Sequence, residues 1–592
     1  MYGLIAHTGP SSHRFDTACA IARKLGAQIR IVANNDTVRI ALLGDSAATA
    51  HNNQAAFYGS GARVSCAGFT TPNTLLESAP DDVIAAACDN TDLIVATGRG
   101  NHRIFAHSAG NDVLCSSSLH LLARATETHV DRGYEDFMLG FGFYPDTHTA
   151  YSGISAVPAG TRWNISASTT TSTAVIHPEV TAPSSFDAAI PELRDRFFGA
   201  LEELTAGNTR HAVLLGGFDS MLVAASLRRM GHEVHTYTFT FGNAKYEQRN
   251  VDSFVNSLGI THHNVSFTPD IIEENLRQFG RYFTQPGAQA HYQIHTLVAS
   301  QLAQHDGHSA IFNGDGCDAV FLSYPTVNRR AALNKRLAKI PDWLLSASGA
   351  PLRTSFAEKH LGHVARTARS VIGNMMLDEP ARGHLPTRYL DDYALSQLRR
   401  GPSPVQTETV EQIRTRLATA VTGFDGPRRA FHGNGLTNQS KVKVDGAMAA
   451  TGLPHFTPYL HPVFRSYVTS LPIDYLKKQD ESPAANGKEL LVAMVRKYEL
   501  LPDAIIDQPK QSPVDSPIDT WYINDIRANI ITQLADLPFD WNPEYVDSLL
   551  SPKRAEEWYR NKVSIGHHTL QAIGLLSSYA SFNRMIGWTP LC

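Results

Sequence analysis

The sequence predicts an α/β protein in which a β-rich α+β domain precedes a domain built on a doubly wound parallel sheet. In the first part of the chain, β-rich runs such as VRIALLG and DLIVATG end at turn residues. From AAIPELRDRFFGALEELTAG onward, helical periodicity alternates with short apolar runs, which is typical of parallel strands joined by crossover helices. The stretch between them, TTTSTAVIHPEVTAPSSFD, is polar and contains two prolines, as linkers do. We therefore predict one domain over residues 1–181 and a second over residues 188–592.

Composition excludes several classes of protein. The 592 residues are 43% hydrophobic and 18% charged, which is ordinary for a globular chain of two or three domains. A net charge of -4 argues against general attraction to nucleic acid or an anionic membrane. No apolar stretch reaches the length of a membrane span, and the first residues lack the pattern of a signal peptide. We predict a cytoplasmic protein with neither a nucleic-acid nor a membrane partner.

Cysteine and histidine patterns give no sign of a structural metal or of disulfides. The six cysteines show no CxxC spacing, and none of the 26 histidines forms an HExxH pair. A reducing compartment and a protein without a metal of its own, apart from magnesium carried with a nucleotide, fit this pattern best.

The stretch HAVLLGGFDSMLVAASL predicts a phosphate-binding turn. Ala212 to Leu215 has the apolarity of a central parallel strand, and a helix is expected from Ser220. Gly216 and Gly217 allow positive φ and close approach of a ligand, while the helix N-terminus favours an anion. Asp219 would repel bare phosphates, so its presence predicts a magnesium–nucleotide complex. The alternative interpretation is an ordinary strand-to-helix turn with an aspartate near the N-cap.

This stretch resembles the S-G-G-x-D-S loop of the ATP pyrophosphatases, and more closely that of the asparagine synthetase family. Those enzymes split ATP between its α and β phosphates and activate a carboxylate as an acyl-adenylate. The resemblance implies that ATP and Mg²⁺ are needed here. Leu215 replaces the leading serine of the motif, which removes one hydroxyl donor to pyrophosphate and predicts altered binding.

Further motifs follow in the order of the family. VHTYTFTFG resembles the second strand, whose backbone contacts adenine, and places Thr240 at the nucleotide; Glu247 lies at the position of the family's acid. AIFNGDGCDAVFLSYP resembles the S-G-E-G-x-D-E-x-F-G-G-Y motif, which implies that Asp318 is the second magnesium ligand. Asp219 and Asp318 both follow a strand, so we expect them to meet at one sheet edge. The same motif assigns three residues to the nucleotide: Gly314, Asp315 and Gly316.

Two later segments continue the resemblance. SKVKVDGAMAATGLPHFTPYLHP is similar to the acceptor-pocket segment D-R-x-S-M-x-x-G-L-E-x-R-x-P-F-L-D, with Gly446, Pro454 and His461 in place of its arginine, glutamate and last aspartate. These changes argue against an ordinary asparagine-forming substrate. NGKELLVAMVRKYELLPDAIIDQPKQSP resembles the stretch with the family's catalytic lysine. It implies Lys510 as the cation that stabilises the departing pyrophosphate, with Lys488 as a second cation.

The first domain resembles the family's glutaminase domain, an Ntn-hydrolase fold. FGFYPDTHTAYSGISAVPAG is similar to the motif Y-x-P-x-x-x-T-x-F-x-G-I-x-x-L-P-P-G. In glutamine-dependent members the nucleophile is the cysteine after the initiator Met, and this sequence has Tyr2 there. The nearest cysteine, Cys19, lies in a helical pattern and has no free α-amino group to act as its base. Glutamine is therefore not expected to supply the amine.

Relatives without that cysteine include β-lactam and carbapenam synthetases and lasso peptide cyclases. Asp315 stands where the β-lactam enzymes carry a tyrosine, and the remaining pattern looks most like proteobacterial lasso cyclases. This resemblance implies an ATP-dependent ligase of antibiotic biosynthesis that adenylates an Asp or Glu side chain of a precursor peptide for attack by the peptide's N-terminal amine. It implies a leader peptidase and a leader-binding protein as further partners. Asp315 and His455 are candidate general bases, and Glu247 and Lys510 the candidate catalytic residues.

Two alternatives stay open. One is an amide ligase acting on a small molecule, including ammonia-dependent asparagine synthesis. The other is a non-catalytic, peptide-binding scaffold, suggested by Leu215 and by the missing cysteine, although a scaffold has no use for both aspartates and the lysine.

Overall fold

A computed structural model supplies the three-dimensional structure. It describes most of the chain, with gaps, and the statements below concern these residues: 2–44, 49–52, 54–59, 71, 83–89, 91–97, 102–166, 169–174, 183–206, 208–241, 251–288, 290–323, 368, 372, 389–419, 441–476, 488–507, 518–551 and 566–587.

Two antiparallel sheets of six strands form the first part of the fold. Their strand orders are β10-β8-β9-β1-β3-β2 and β12-β11-β7-β6-β5-β4. The strands are β1 (Gly3–Thr8), β2 (Ile29–Asn34), β3 (Val38–Leu43), β4 (Thr49–His51), β5 (Ala55–Gly59), β6 (Val83–Asp89), β7 (Asp92–Thr97), β8 (Phe105–Ala109), β9 (Asp112–Ser116), β10 (Ile154–Ala156), β11 (Thr161–Ile165) and β12 (Thr170–Ala174).

The alternation of side chains along β1 explains why these sheets stack. Leu4 and Ala6 belong to a core shared with residues of the second sheet, whereas Ile5 packs in a separate core with helical residues. Since successive side chains of a strand point to opposite faces, a strand that is apolar on both faces must be covered on both. The first sheet therefore lies between the second sheet and a helical layer, an arrangement that matches the β-rich α+β domain predicted from the sequence.

A parallel sheet of five strands forms the second part. Its order is β15-β14-β13-β16-β17, and every pairing in it is parallel. From β13 the chain adds β14 and β15 on one side of the sheet, and it then adds β16 and β17 on the other side. This is the doubly wound arrangement, and it confirms the predicted fold class. The strands are β13 (Arg210–Leu214), β14 (Glu233–Thr240), β15 (Thr261–Ser266), β16 (Ile311–Phe312) and β17 (His455–Phe456).

Helices cover these sheets. They are α1 (His13–Lys24), α2 (Leu119–Ala125), α3 (Glu135–Phe141), α4 (Phe186–Thr205), α5 (Phe218–Arg229), α6 (Val251–Leu258), α7 (Pro269–Arg277), α8 (Phe279–Tyr282), α9 (Ala290–His305), α10 (Cys317–Val320), α11 (Asp392–Leu398), α12 (Val410–Thr419), α13 (Lys441–Thr451), α14 (Pro462–Ser470), α15 (Ile473–Leu476), α16 (Glu489–Lys497), α17 (Asp503–Ile506), α18 (Ile518–Ile523), α19 (Arg527–Gln533), α20 (Pro543–Leu549) and α21 (Gly566–Gly587). Short 3-10 turns lie at Pro458–Leu460 and Leu534–Asp536. In the part of the chain that the structure describes, no helix is both long and apolar enough to cross a membrane.

Helix α13 connects the two parts of the fold. Met448 packs into the core between the two antiparallel sheets, and the Ala449 carbonyl accepts a hydrogen bond from the main-chain N–H of Tyr2 at 3.2 Å. The side chains of Asp445 and His102 lie 3.3 Å apart and are both buried. The predicted division between residues 181 and 188 stays a prediction, because residues 175–182 lie outside the described residues.

Candidate active site

The turn after β13 is held together by the hydroxyl of Ser220. Its Oγ accepts hydrogen bonds from the N–H groups of Gly216 (2.8 Å) and Gly217 (3.1 Å) and donates to the Gly217 carbonyl (3.0 Å). Helix α5 begins at Phe218, two residues earlier than the sequence predicts. The strand, the glycine turn and the helix N-terminus follow one another as expected for an anion-binding turn.

Positive φ does not explain the two glycines of this turn. Neither Gly216 nor Gly217 lies in the left-handed region, and φ of Gly217 is 173°, which is extended backbone. A Cβ placed on either residue would meet no atom within 4 Å. The expectation of positive φ is therefore wrong, while the expectation of an open approach to the backbone agrees with the structure.

A second turn, after β16, lies directly against the first. A Cβ on Gly314 would lie 2.8 Å from the backbone nitrogen of Ser220 and 2.9 Å from Cβ of Asp219, so only glycine fits there. Gly316 has a φ of 85° and precedes the first turn of α10, which contains Asp318. β13 and β16 are neighbours at the point where the strand order reverses, which is where ligands bind in open parallel sheets.

The two aspartates predicted as metal ligands converge on one ammonium group. Nζ of Lys488 lies 2.6 and 2.7 Å from the two carboxylate oxygens of Asp219 and 2.8 Å from Oδ1 of Asp318. Ser323 donates a hydrogen bond to the same Oδ1 at 2.7 Å. The arrangement therefore brings both predicted acids and one predicted cation together beside the glycine turn.

Burial and charge act in opposite directions on this cluster. Lys488 is 8% exposed, and this burial by itself would lower its pKa, but the charges of Asp219 and Asp318 outweigh it and raise the pKa well above the ordinary value. Burial, together with the charge of Asp219, raises the pKa of the Cys317 thiol well above its usual range. The lysine is thus charged and the cysteine neutral near pH 7.

Lys488 also has a strained backbone. Its φ is 68°, in the left-handed region, at the N-cap of α16. For a residue with a Cβ this conformation costs about 1–2 kcal/mol. Non-glycine residues in such conformations cluster at functional sites, where surrounding contacts hold them in place. The contacts with the two aspartates are of that kind.

Asp315 forms a separate ion pair. Its Oδ1 lies 2.8 Å from Nζ of Lys443 on α13, and its main-chain N–H donates to the side chain of Asn313 at 2.9 Å. Thr240 ends β14, and its hydroxyl donates to the Val265 carbonyl at 3.4 Å. His455 is buried on β17 with Nε2 2.8 Å from Oγ of Ser300, and burial lowers its pKa to about 3.

The remaining predicted residues divide into two groups. The side chain of Leu215 is 2% exposed and packs in the apolar core, so it supplies no donor where the family motif has a serine hydroxyl. Glu247 and Lys510 lie outside the described residues, and their roles stay predictions.

The structure adds residues that sequence reasoning did not single out. The Tyr459 hydroxyl donates to the backbone carbonyl of Asp219 at 2.9 Å, and Lys443 pairs with Asp315 as described above. Tyr459 lies on a 3-10 turn within the segment TPYLHP, where the sequence gives no sign of its partner. Ser323, which donates to Asp318, follows the short helix α10, and the motif that contains it gives no sign of this contact. These residues are identified only by the contacts that the fold creates.

The donors at this site fit magnesium. Mg²⁺ is held by one or two carboxylates together with substrate phosphates and keeps several waters. Asp219 and Asp318 supply two carboxylates that already share one cation. Among the described residues, no group of three or more His, Cys, Asp or Glu side chains could hold a metal.

Cys19, the cysteine nearest to Tyr2 in the sequence, is not a reactive thiol. Cys19 is buried on α1, and burial raises its pKa to about 11. A thiol with such a pKa is almost entirely protonated near pH 7 and is a poor nucleophile.

Comparison with known proteins agrees with this site. The family model described as asparagine synthase matches residues 192–576, more than half of the chain, and the matched region contains both aspartates and Lys488. The chain belongs to the asparagine synthase family. Membership supports an ATP-dependent ligase that forms amide bonds by activating a carboxylate. No curated protein matches the chain.

Two solved structures resemble this member of the asparagine synthase family in part. NMN synthetase from Francisella tularensis is 16% identical with a TM-score of 0.19, and the match covers 24% of this chain and 60% of that chain, less than two thirds of its length. The allosteric regulatory enzyme of purine biosynthesis is 10% identical with a TM-score of 0.21, and the match covers 45% of this chain and 80% of the other. Likenesses of this size carry no argument about activity.

Proposed function

We propose that this protein is an ATP- and Mg²⁺-dependent cyclase that joins the N-terminal amine of a precursor peptide to an Asp or Glu side chain of the same peptide. The observation that carries the proposal is the convergence of Asp219 and Asp318 on one cation beside the glycine turn. Two acids at the point where the strand order of a parallel sheet reverses are suited to a metal–triphosphate complex, and an ordinary strand-to-helix turn does not need them.

The chemistry divides into adenylation and amide formation. In the first step the peptide carboxylate attacks the α-phosphate of ATP, and pyrophosphate leaves. Bound magnesium would neutralise charge on the phosphates as pyrophosphate departs. Lys488, and Lys510 by resemblance, place positive charge where negative charge grows in the transition state.

In the second step the peptide amine attacks the acyl-adenylate, AMP leaves and the nitrogen loses a proton. Because both groups belong to one folded peptide, holding them close supplies much of the rate. Asp315 lies between Gly314 and Gly316, but it is paired with Lys443 at 2.8 Å. It could accept the proton only if the substrate loosens this pair.

An amine source other than glutamine is supported by the first part of the fold. Tyr2 stands where the resemblance places the glutaminase nucleophile, and its N–H is engaged by the carbonyl of Ala449. Cys19 is a buried, protonated thiol. An amine carried by the substrate itself removes the need for a glutaminase.

A second candidate is an amide ligase that acts on a small amino acid. The ion pair of Asp315 and Lys443 favours it, because an amino acid with one ammonium and one carboxylate group could exchange partners with both members of the pair. The Lys443 and Asp315 side chains are 18% and 19% exposed, so the pair can be reached from solvent.

The test is substrate-dependent pyrophosphate release. The full chain is incubated with ATP and Mg²⁺ and, in separate reactions, with a precursor core peptide, with free aspartate and with aspartate plus ammonium. The cyclase proposal expects pyrophosphate, AMP and a peptide product lighter by one water only with the peptide. Release with free aspartate alone would favour the second candidate. ATP binding without release in any reaction would favour the scaffold.

A further inference from the structure

The ammonium group of Lys488 contacts the two carboxylates that would hold a metal ion. Its Nζ contacts both oxygens of Asp219 and one oxygen of Asp318 at 2.6 to 2.8 Å, and these are the carboxylates that fit magnesium. The ammonium group is deeply buried, with the lysine side chain 9% exposed. The lysine is therefore the cation that neutralises the two acids in this structure.

A metal ion and this ammonium group would compete for the same two carboxylates. A metal bound to Asp219 and Asp318 would be a second positive charge within a few ångströms of Nζ, and like charges at that distance repel strongly in a buried site. Removing Lys488 from the carboxylates without another anion would leave a buried charge without a partner, which is strongly unfavourable. The exchange therefore needs a new anionic partner for the lysine.

We propose that Lys488 closes the metal site in the nucleotide-free protein and releases the two aspartates only when a polyphosphate supplies replacement anions. The proposal rests on the proposed nucleotide site, since that is where the phosphates would come from. The glycine turn beside Asp219 offers open backbone for those phosphates, because nothing lies within 4 Å of a Cβ on Gly216 or Gly217. Divalent metal by itself should consequently bind weakly, and metal and nucleotide should enter together.

The left-handed backbone conformation of Lys488 fits a residue whose side chain exchanges the two aspartates for phosphates. Strained non-glycine residues persist where contacts hold them and are found in switch regions. The lysine is the N-cap of α16, so its side chain is attached to the end of a helix whose Leu490, Leu491 and Met494 are fully buried. The helix fixes the base of the lysine, and only the flexible side chain has to move.

Binding of Mn²⁺ alone to the nucleotide-free full chain tests the proposal, with the unbound ion measured by electron paramagnetic resonance. The variant Lys488→Met keeps the length of the side chain and removes its charge. We expect Lys488→Met to bind one Mn²⁺ about tenfold to hundredfold more tightly than the wild type. The double variant Lys488→Met, Asp318→Asn should lose this gain, because one of the two carboxylates is gone.

The matched control is Lys497→Met. Lys497 lies on the same helix, is exposed and has no contact with either aspartate, so its loss should leave Mn²⁺ binding as in the wild type. Equal Mn²⁺ affinity in the wild type and in Lys488→Met overturns the proposal. If Lys488→Met fails to fold, Lys488→Gln, which can still donate to one carboxylate, is measured in the same way and with the same criterion.

This measurement uses neither ATP nor a peptide, so its outcome is separate from that of the proposed function. A gain in Mn²⁺ affinity together with no pyrophosphate release from any substrate would retain the closed metal site and reject the cyclase. Pyrophosphate release with the peptide only, without a gain in Mn²⁺ affinity, would retain the cyclase and reject the closed metal site.

Discussion

Asp219 and Asp318 are far apart in the sequence, yet their carboxylates approach the same nitrogen atom, Nζ of Lys488, at 2.6 and 2.8 Å. Each residue follows a strand of the parallel sheet, β13 and β16 respectively. Because those strands are adjacent and parallel, their carboxyl ends and the residues after them share one edge. Loss of either carboxylate should therefore affect activity.

Replacement of Asp318 by Asn should abolish pyrophosphate release while leaving the protein folded. The amide has almost the same shape but carries no charge, so it should weaken a metal–nucleotide complex, and we expect a fall in rate of more than about a hundredfold. The measurement is pyrophosphate release with circular dichroism as a folding check. Asp270→Asn, an exposed aspartate on α7, is the control and should retain activity.

Replacement of Gly314 by Ala should damage both stability and activity. The added Cβ would lie 2.8 Å from the backbone nitrogen of Ser220, so the two turns would have to separate, at a cost of about 1–3 kcal/mol. Urea denaturation and pyrophosphate release measure the two effects. Gly401→Ala adds the same methyl group where nothing lies within 4 Å, and equal destabilisation by both substitutions would contradict this explanation.

Replacement of Tyr459 by Phe should impair nucleotide use more than it impairs folding. It removes the hydrogen bond to the Asp219 carbonyl, which we expect to cost about 0.5–1.5 kcal/mol of stability and to raise KM for ATP. Tyr467→Phe is the matched control, because the Tyr467 hydroxyl is also buried and donates to a backbone carbonyl, that of Ala189 at 3.1 Å. Tyr467→Phe should lower stability by a similar amount without changing KM; a similar change of KM in both variants would count against a role for Tyr459 at the site.

Replacement of Lys510 by Ala should abolish pyrophosphate release, because charge that builds on the leaving pyrophosphate would lose its stabilising cation. This assignment rests on the resemblance of QPKQSP to the family's lysine segment. The assay is the one used for Asp318→Asn, with the exposed Lys497→Met as control. An active Lys510→Ala variant would remove the assignment.

Acid should destabilise the fold at moderately low pH. Burial lowers the pKa of His211 and His308 to about 4, below the ordinary value of 6.5 for histidine. A group whose pKa is lower in the folded state contributes stability that is fully present above pH 6.5 and is lost as the pH falls from 6.5 toward 4. Melting temperatures measured from pH 7 to pH 4.5 should therefore fall.

His308 gives a specific variant for the pH test. Its ring is 5% exposed, lies near His235, His263 and the charged groups of Arg210 and Asp306, and finds no hydrogen-bond partner among the described residues. His308→Gln removes the titrating group, so its melting temperature should depend less steeply on pH between 6.5 and 4.5. An unchanged dependence would assign the acid sensitivity to other groups.

Much of the secondary structure can be predicted from local sequence patterns. The apolar run that becomes β13 and the helical periodicity within Phe186–Thr205 are both read correctly, because period and apolarity reflect which faces of an element are buried. The ends of helices and strands are predicted less accurately. Helix α5 begins two residues before the predicted start, because the hydroxyl of Ser220 closes the preceding turn. The domain boundaries remain untested.

The sequence by itself determined the chemistry available to this protein: a glycine turn after a buried strand, two acids that each follow a strand, and family motifs in order. The tertiary structure decided how these groups meet. It placed one lysine between the two aspartates, paired Asp315 with Lys443, and buried the side chain of Leu215 away from the turn. The physical reason is that strand and helix patterns are short-range, whereas a contact between an ammonium group and two distant carboxylates exists only after parallel strands have brought their ends together.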